Sequence, residues 1–451
     1  MGIWQDEIDE DQVRRIFADN GVRSIQIKYL SRNHNSKNQI YMGGDLSEVA
    51  TLPMGDVHFN SGTSQKKFAG GKLIYHAPVP WSWVSPSGLS PAPRAQLIVY
   101  PQYKEVRLSG IIQGSPDAPS FFMSIDKRGY EEGRVLIFGT NDAKDTAFGM
   151  MLSRFSPAAK ALDRYRGKLG EIVTIPINKD APTDSRASLI RELARIHHTG
   201  WMDACELPAT RIMRPCRGNR CGGHTLEAHL GITLNGAPAP DFGEWEVKNH
   251  GVGSFDRPGT GRITLFTPEP DLGDYAANGT DWFVRQYGVP TEDEKRYNFT
   301  GTHRVTGTPL EKTGLELKLA GYDPDTKSIT DDGYVGLLNS SDQLVSGWSF
   351  SKLLNHWQTK HAFAAYVPSK SQKGTPYQYS YGHRVHLAEG TRFGLFLEAM
   401  AGGAIVYDPG IKSELQPNGR WKPKARSQFR IATPSLAQLY DKFAEVNVLE
   451  A

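Results

Sequence analysis

Hydrophobic residues in the first part of the chain occur in short runs that are separated by Gly, Pro, Asn and Asp. Runs of this length, rich in β-branched and aromatic residues, are typical of strands. The sequence offers SIQIKYL, KLIYHA, AQLIVYP, EVRLSGII, FFMSID, RVLIFG and EIVTIPI. Helical patterns cover residues 7–19 and the segment DTAFGMMLSRF at 145–155. The first part is therefore predicted to be a β-rich barrel or sandwich with one or two helices, in the α+β class.

The second part mixes helical and strand-like periods, which predicts an α/β arrangement. Strands separate the expected helices, which lie near residues 186–198, 223–230, 351–363 and 434–447. Because the last helix carries apolar residues on one face, the chain end is expected to dock on the core; these residues are Leu436, Leu439, Tyr440 and Phe443. A polar, Pro-containing stretch at 177–188 divides the chain near Asp184 into predicted domains 1–184 and 185–451.

The segment APDFGEWEVKNH, residues 239–250, alternates apolar and charged positions as a strand does. Side chains of successive strand residues point to opposite faces. Trp245 and Val247 are therefore expected in the core, while Glu246 and Lys248 project together into a cleft. Asp241 stands just upstream, after two prolines, in a segment that is expected to bend onto the strand.

Composition narrows the class of protein without identifying it. The chain has 451 residues, enough for two domains with separate cores, and its hydrophobic share of 39% and charged share of 22% are ordinary for a globular protein. No apolar run reaches the roughly 18 residues of a membrane span, and the acidic N-terminus does not resemble a secretory signal. We therefore expect a cytoplasmic protein with no membrane partner. A formal net charge of +3 is too small to indicate a nucleic-acid partner by itself.

Asp241, Glu246 and Lys248 make chemical sense together. Two neighbouring carboxylates repel each other unless a hard divalent cation lies between them, and Mg²⁺ prefers oxygen ligands. A lysine beside the metal can position a water or stabilise the charge that grows on a phosphorane-like transition state. Such a set suits phosphodiester hydrolysis. The alternative is a chance pattern on a solvated strand.

These residues also resemble a known superfamily. Pro240, Asp241, Glu246, Val247 and Lys248 match the PD-(D/E)xK nuclease pattern as P-D-x4-E-x-K. Upstream, TLE..LGI..N leads into PDFG.WE.K, and RITLFTPEP and FRIATPSLAQLYDKF follow downstream. This ordered set, over about residues 190–450, resembles the MvaI/BcnI restriction endonuclease family, which is itself similar to the MutH mismatch-repair nickase.

The resemblance carries several expectations. It implies an α/β nuclease fold with a mixed central sheet flanked by helices, Mg²⁺ bound by Asp241 and Glu246, and Lys248 as a catalytic residue. It implies a monomer that cuts double-stranded DNA at short, nearly palindromic sites. It also places Glu227 near the metal, although Glu227 could equally be a surface acid in the first turn of a helix capped by Thr225. Where relatives often have Thr after the lysine, this chain has Asn249 and then His250.

A nuclease must also hold DNA, and several polar segments are candidates. The segment RIMRPCRGNR offers a basic approach to phosphates, and base readout is expected from loop-like segments near the C-terminus, because Arg contacts guanine in the major groove. Each candidate could instead be an ordinary surface or packed residue, as we favour for Lys104 and Arg107. The expected DNA-binding residues are Arg211, Arg214, Arg217, Arg220, His250, His383, Arg384, His386, Arg426 and Arg430, with Lys104 and Arg107 in the first domain.

The cysteines allow two interpretations. The chain has three, and an odd number does not suggest a disulfide framework. Cys205, Cys216, Cys221 and His224 are spaced C-x10-C-x4-C-x2-H and could hold a structural zinc. The spacing does not match common zinc fingers, so buried free thiols are the preferred interpretation.

The first domain, about 180 residues long, is a segment that ordinary members of the family resembled by the second domain lack. Fused to a nuclease, it is expected to bind DNA, either at a second, effector site or at a modified base. Trp81 and Trp83 could line a pocket for a flipped base, or simply pack in the core. The sequence thus predicts a Mg²⁺-dependent, sequence-specific type II endonuclease. The alternatives are a MutH-like nickase, a modification-dependent endonuclease, and a DNA-binding or modification-sensing protein with an idle nuclease fold.

Overall fold

The chain forms two compact units, each with its own contacts. The computed structural model describes residues 4–30, 38–44, 46–59, 74–100, 105–123, 134–167, 171–179, 185–218, 221–234, 240–257, 259–305 and 307–450. The first unit comprises Met1–Glu192 and Gly236–Glu244, and the second comprises Leu193–Asn235 and Trp245–Ala451. Asp184, the predicted boundary residue, lies outside the described residues. Within the described ranges, no helix is both long and apolar enough to cross a membrane.

The first unit is β-rich. Its helices are α1 (Trp4–Glu7), α2 (Glu10–Asp19), α3 (Ser120–Met123) and α4 (Pro157–Leu162), with 3-10 turns at Leu46–Val49 and Asp163–Tyr165. Its strands are β1 (Ser24–Leu30), β2 (Ile40–Gly43), β3 (His58–Phe59), β4 (Tyr75–Pro78), β5 (Trp81–Ser85), β6 (Gly88–Pro91), β7 (Gln96–Tyr100), β8 (Glu105–Ser109), β9 (Arg134–Thr140), β10 (Ala147–Leu152) and β11 (Ile172–Pro176).

These strands make a six-stranded and a five-stranded sheet. The first has the order β11-β1-β9-β10-β5-β6, in which β10 and β5 run parallel and the other pairs are antiparallel. The second has the order β2-β8-β7-β4-β3 and is antiparallel. The helix α2 begins where Asp9 and Gln12 form a reciprocal capping box, and it buries Val13 and Phe17 in the core.

Two predictions for this unit are wrong. Residues 145–155 were expected to be helical, but Ala147–Leu152 is the strand β10, and all its residues are buried. A strand that is covered on both faces loses the alternation that identifies strands, so its apolar run looks like that of a helix. FFMSID was expected to be a strand, but its first three residues belong to the short helix α3, and the rest lie outside the described residues.

Trp81 and Trp83 are core residues. Each side chain is 3% exposed, and the two rings meet edge to face with centroids 5.4 Å apart. Trp83 donates its indole N–H to the carbonyl of Ile111 at 2.6 Å. A Cβ at Gly149 would lie 1.9 Å from the Trp81 ring, so the strands approach closely here. The idea that these two rings line a base pocket is therefore wrong.

The second unit mixes helices and strands. Its helices are α5 (Ser185–Thr199), in which the division between the units falls, α6 (Cys221–His229), α7 (Gly273–Tyr287), α8 (Phe350–His361) and α9 (Phe393–Ala401), with a 3-10 helix at Thr433–Leu439. The expected helices near 186–198, 223–230 and 351–363 correspond to α5, α6 and α8.

The strands of this unit form a central sheet and several small ones. They are β12 (Met202–Asp203), β13 (Cys205–Glu206), β14 (Arg214–Pro215), β15 (Trp245–Gly251), β16 (Arg262–Phe266), β17 (Val289–Pro290), β18 (Arg296–Thr300), β19 (Glu316–Asp323), β20 (Ser328–Leu338), β21 (Leu344–Ser349), β22 (Phe363–Gln372), β23 (Gln378–Tyr381), β24 (Arg384–Glu389), β25 (Ile405–Tyr407), β26 (Gly410–Leu415), β27 (Trp421–Lys424), β28 (Phe429–Ala432) and β29 (Lys442–Asn447).

The central sheet is mixed. Its order is β12-β23-β22-β24-β29, and β15 pairs with β22 in parallel. The smaller sheets are β13-β14, β16-β28-β25, β17-β18-β26-β27 and β19-β20-β21.

The prediction of one helix over residues 434–447 is wrong. The chain instead forms the 3-10 helix Thr433–Leu439 and then the strand β29, which pairs with β24. Leu436, Leu439 and Tyr440 are buried, so the chain end does dock on the core as expected.

Candidate active site

The strand β15 presents its side chains as the sequence predicted. Trp245 and Val247 are 1% and 5% exposed and share one face of the central sheet. Glu246 and Lys248 point to the other face, and in the pairing with β22 they lie opposite Ala364 and Tyr366. Because β15 and β22 run parallel, Glu246 and Lys248 follow each other along the sheet in the same direction as Ala364 and Tyr366.

Glu246 and Lys248 form an ion pair. The Lys248 ammonium donates to Glu246 Oε1 at 2.5 Å, with side-chain exposures of 21% for the lysine and 2% for the glutamate. A buried carboxylate is costly unless a cation or hydrogen bonds compensate it. Part of the Lys248 side chain remains exposed, whereas the Glu246 side chain is almost fully covered.

A buried polar chain lies near Glu246. The hydroxyls of Tyr366 and Tyr440 are 2.7 Å apart, and the Tyr440 hydroxyl is 3.3 Å from Nδ1 of His361. His361 Nε2 donates to the carbonyl of Leu265 at 3.1 Å, because a carbonyl can only accept. Burial raises the pKa of Tyr366 and Tyr440, and the negative charge of Glu246 adds to the effect. Both phenols therefore stay protonated beside the carboxylate.

A row of residues crosses the same face of the sheet. The strand register places Lys248, Tyr366, His386 and Glu445 side by side on β15, β22, β24 and β29. His386 stacks on Phe443 at 4.9 Å between ring centroids and lies 3.9 Å from Glu445. Burial lowers the pKa of His386.

His250 and Arg384 belong to this face as well. Burial, with a smaller effect of His386, lowers the pKa of His250 to about 4. His250 is therefore neutral at neutral pH and can offer hydrogen bonds but not a positive charge to DNA. Arg384 is exposed and lies 4.0 Å from Glu445. Both remain predicted DNA contacts.

Glu227 occupies a different position. The helix α6 packs against the face that carries Asn249, where a Cβ on Gly222 would lie 2.6 Å from Asn249 Oδ1. Tyr381 on β23 donates its hydroxyl to the carbonyl of Gly222 at 2.7 Å. The helix that bears Glu227 therefore covers the opposite face of the sheet from Glu246 and Lys248. A role for Glu227 near a metal stays a prediction.

The capping interpretation of Glu227 is wrong. The helix α6 begins at Cys221, so Glu227 is not in its first turn. Thr225 is buried inside the helix, and its hydroxyl accepts from the backbone N–H of Cys205 at 3.0 Å. Glu227 itself lies 3.3 Å from Nδ1 of His224.

The predicted metal ligands fit Mg²⁺ by their chemistry. Glu246 offers a carboxylate, the ligand type that Mg²⁺ prefers, on a regular strand. Asp241 is partly buried, and its segment is grouped with the first unit. In the part of the chain that the structure describes, no three His, Cys, Asp or Glu side chains converge into a ready metal site. Metal binding by Asp241 and Glu246 stays a prediction.

The cysteines are not arranged for zinc. Cys216 and Cys221 form a disulfide, so the expectation of free thiols holds for Cys205 alone. Burial raises the pKa of the Cys205 thiol. With two of its proposed ligands bonded to each other, the zinc interpretation is wrong. The spacing alone could not separate a disulfide from free thiols.

The arginine-rich loop is exposed as expected for a phosphate contact. Arg211, Arg214 and Arg217 all face solvent, while Arg220 lies outside the described residues. Arg214 also forms an ion pair with Glu206 at 2.7 Å across the β13-β14 hairpin. The loop therefore presents positive charge to solvent, although Glu206 neutralises part of the charge of Arg214.

The other predicted DNA contacts differ in how freely they could reach DNA. Arg430 donates to Asp408 at 2.7 Å and to the carbonyl of Arg262 at 2.8 Å, so it ties β28 to its neighbours. His383 packs against His197 with ring centroids 5.1 Å apart. Arg107 donates to Glu105 at 2.7 Å and to Gln39 at 3.1 Å on its strand surface. Lys104 lies outside the described residues.

Some residues of interest escaped the sequence reasoning. Tyr366 and Tyr440 lie near Glu246 although they are far from it along the chain, and no local sequence pattern predicts this. Basic residues of the β17-β18-β26-β27 sheet were also missed, although KPK at 422–424 alternates as an exposed edge strand does.

Comparison with known proteins gives a family match and two structural matches. Residues 190–440, more than half of the chain, match the MvaI/BcnI restriction endonuclease family. No curated protein matches the chain. Similar solved structures include a restriction endonuclease MvaI-cognate DNA substrate complex, at 18% identity and a TM-score of 0.45, covering 58% of this chain and 98% of that chain. MvaI in the absence of DNA is 17% identical with a TM-score of 0.34, covering 59% of this chain and 99% of that chain.

The family match contains the strand that carries Glu246 and Lys248, the helix α6 and most of the central sheet. The sequence resemblance on which the expectations rested is thereby confirmed. The first unit has no such match over its residues before 190. The chain belongs to the MvaI/BcnI restriction endonuclease family.

Proposed function

We propose that this protein is a Mg²⁺-dependent endonuclease that cuts double-stranded DNA at a specific sequence, as a type II restriction enzyme. The observation that carries the proposal is the contact between the partly exposed Lys248 side chain and the buried Glu246 carboxylate on the strand β15. A hydrolytic site needs a cation that substrate can reach beside a fixed carboxylate.

Each residue has a distinct task in this proposal. Glu246 and, from the sequence pattern, Asp241 would hold Mg²⁺, which would supply Lewis acidity to the scissile phosphate. Lys248 would orient the attacking water by hydrogen bonding and stabilise negative charge on the phosphoryl oxygens. Tyr366 and Tyr440, held protonated by burial, would keep the surroundings of Glu246 rigid. Glu227 would assist indirectly, because the helix α6 covers the opposite face of the sheet.

The DNA would be held by residues on the same face and around it. Arg384, His386 and His250 share the face of Glu246 and Lys248, and Arg211, Arg214 and Arg217 are exposed. The first unit would bind a second, effector DNA site or a modified base. We propose that the enzyme acts as a monomer in the cytoplasm.

The proposal is tested with supercoiled plasmid and purified protein, with and without Mg²⁺. Discrete linear fragments that require Mg²⁺ are expected. Nicked circles alone would favour a MutH-like strand nickase, and a mobility shift without cutting would favour a DNA-binding protein with an idle site. Methylated and unmethylated plasmids compared side by side separate ordinary restriction from modification-dependent cutting.

The variant Lys248→Ala tests the role of the lysine. Loss of a group that orients the water and stabilises charge should lower the cleavage rate on the order of 10²-fold or more, with DNA binding kept. Lys442→Ala removes an exposed lysine from the same central sheet and should cut like the unchanged protein. Circular dichroism melts of both variants show whether the fold is retained. Full cutting by a folded Lys248→Ala protein would contradict the proposal.

A further inference from the structure

The small sheet β17-β18-β26-β27 has two unlike faces. One face is apolar and packs on the helix α7, with Phe299 and Ile411 fully buried and the Phe299 and Phe283 rings 4.8 Å apart. The strand register places the alternate residues of β18, β26 and β27 on the other face. Of the eight residues that the register places on that outward face, four are cations.

The outward cations come from three strands and two loops. Arg296 lies opposite Glu414, which lies opposite Lys422, and Asn298 lies opposite Lys412, which lies opposite Lys424. The ammonium of Lys312 reaches the hydroxyl of Thr300 on the same face at 2.6 Å. We name this set the basic face: Arg296, Lys312, Lys412, Lys422, Lys424 and Arg426.

Arg426 joins the face through Gly410. A Cβ on Gly410, which would point outward like Lys412, would lie 3.2 Å from Cδ of Arg426. The Arg426 side chain therefore lies over this glycine and extends the basic face by one row. The backbone N–H of Gly410 donates to the Arg426 carbonyl at 3.0 Å and fixes the approach.

Glu414 is the acidic member of the basic face, and the side chains that it contacts are cations. It contacts Lys412 at 2.5 Å and Arg296 at 3.4 Å. These neighbours, with Lys412 first and Lys424 further away, lower the pKa of Glu414. One carboxylate thus serves two cations, while Lys422 and Lys424 extend into solvent on the strand β27.

We propose that the basic face is a binding surface for the phosphate backbone of duplex DNA. Successive rows on the strands are about 7 Å apart, two residues of about 3.4 Å each. Each DNA strand advances about 3.4 Å along the axis per phosphate, so a face several rows long meets more than one phosphate. Flexible lysines at this spacing can neutralise a run of phosphates without reading bases. This surface would hold the duplex that the proposed endonuclease cuts, so the inference rests to that extent on the proposed function.

The experiment measures duplex binding by the full chain over a series of salt concentrations, without divalent metal. The variant Lys422→Gln/Lys424→Gln should lower the slope of log affinity against log salt by about 0.9 for each phosphate that the protein no longer neutralises, about 1.8 for two lysines. Binding should weaken equally for any duplex sequence, because interactions with the backbone carry no base information.

The matched control is Lys318→Gln/Lys327→Gln. These lysines are also exposed and lie in the second unit, but each pairs with carboxylates, Asp342 and Glu398, at 2.9 Å. Their variant removes the same charge and should leave the slope unchanged. Glu414→Gln, which removes the acidic member of the basic face, should tighten binding. An unchanged slope in Lys422→Gln/Lys424→Gln, or an equally large decrease in the control, would overturn the inference.

Failure of this inference is distinguishable from failure of the proposed function. Binding is measured without Mg²⁺, whereas cleavage is measured on plasmid with it. A protein that does not cut but shows the smaller slope in the Lys422→Gln/Lys424→Gln variant supports the basic face and counts against the nuclease. A protein that cuts while the slope is unchanged supports the nuclease and overturns the basic face.

Discussion

Burial changes the ion pairing and the protonation of individual side chains in this molecule. The Glu246 carboxylate is withdrawn from water and keeps Lys248 beside it at 2.5 Å, while burial keeps Tyr366 protonated nearby. The pair could be predicted because residues two apart on a strand point the same way. The tyrosines could not, because their proximity follows from strand pairing across more than a hundred residues.

A buried histidine should make stability depend on pH. His303 is 2% exposed, and burial lowers its pKa from 6.5 to about 4. The unfolded chain therefore binds a proton first as the pH falls. Stability from this site is fully present above about pH 6.5 and is lost as the pH falls through about 4, by at most about 3 kcal/mol.

Urea unfolding of His303→Gln tests this. The variant cannot take up a proton at this position, so its stability should fall less steeply between those two pH values than that of the unchanged protein. His198→Gln, which changes an exposed histidine on α5, should keep the steeper dependence. Parallel pH profiles for His303→Gln and the unchanged protein would refute the assignment.

At the scale of elements, prediction succeeded where apolar and charged residues alternate along the sequence. The strand β15 alternates apolar and charged residues in the sequence, which predicted it, although its burial does not alternate because Glu246 is as buried as Trp245 and Val247. The strand β10 is buried on both faces. Its apolar run therefore has no alternation, and the sequence predicts a helix there. The segment 442–447 has no regular alternation of burial, and the preceding Leu436, Leu439 and Tyr440 extend a helical pattern across it. Tertiary pairing with β24 decided its conformation.

The contact between the helix α6 and the sheet depends on one glycine. A Cβ on Gly222 would lie 2.6 Å from Asn249 and 3.1 Å from Tyr379, so Gly222→Ala must displace the helix or those side chains. We expect it to destabilise the protein by roughly 1–3 kcal/mol. Gly223→Ala is the matched control, since its Cβ would meet Glu227 at an ordinary 3.7 Å. It should stabilise the helix by up to about 1 kcal/mol. Equal melting temperatures for the two variants would contradict this account.

At the scale of the whole molecule, the two units are not consecutive along the chain. The segment Gly236–Glu244, which carries Asp241, groups with the first unit, although the residues on both sides belong to the second. Within the first unit, Lys144 donates its ammonium to the carbonyl of Pro240, and Ser185 donates to Glu244 at 2.7 Å. A domain boundary drawn from local composition could not anticipate this exchange.

Removing one of these anchors should weaken the proposed metal site. Lys144→Met leaves the Pro240 carbonyl without this donor, so Asp241 should be held less firmly. The Mg²⁺ concentration for half-maximal cleavage should rise by about tenfold or more. Lys160→Met, at an exposed position on α4, should leave it unchanged. An unaltered Mg²⁺ dependence in Lys144→Met would show that this anchor does not matter to catalysis.

The path of the chain also limits how the protein can be divided. A fragment that starts at residue 190, where the family match begins, keeps Asp241 but discards Lys144, which contacts the residue before it. Such a fragment would contain every member of the proposed catalytic set and still lack part of the scaffold that holds one of them. A shortened chain intended to keep the surroundings of Asp241 should therefore retain the residues of the first unit that contact its segment.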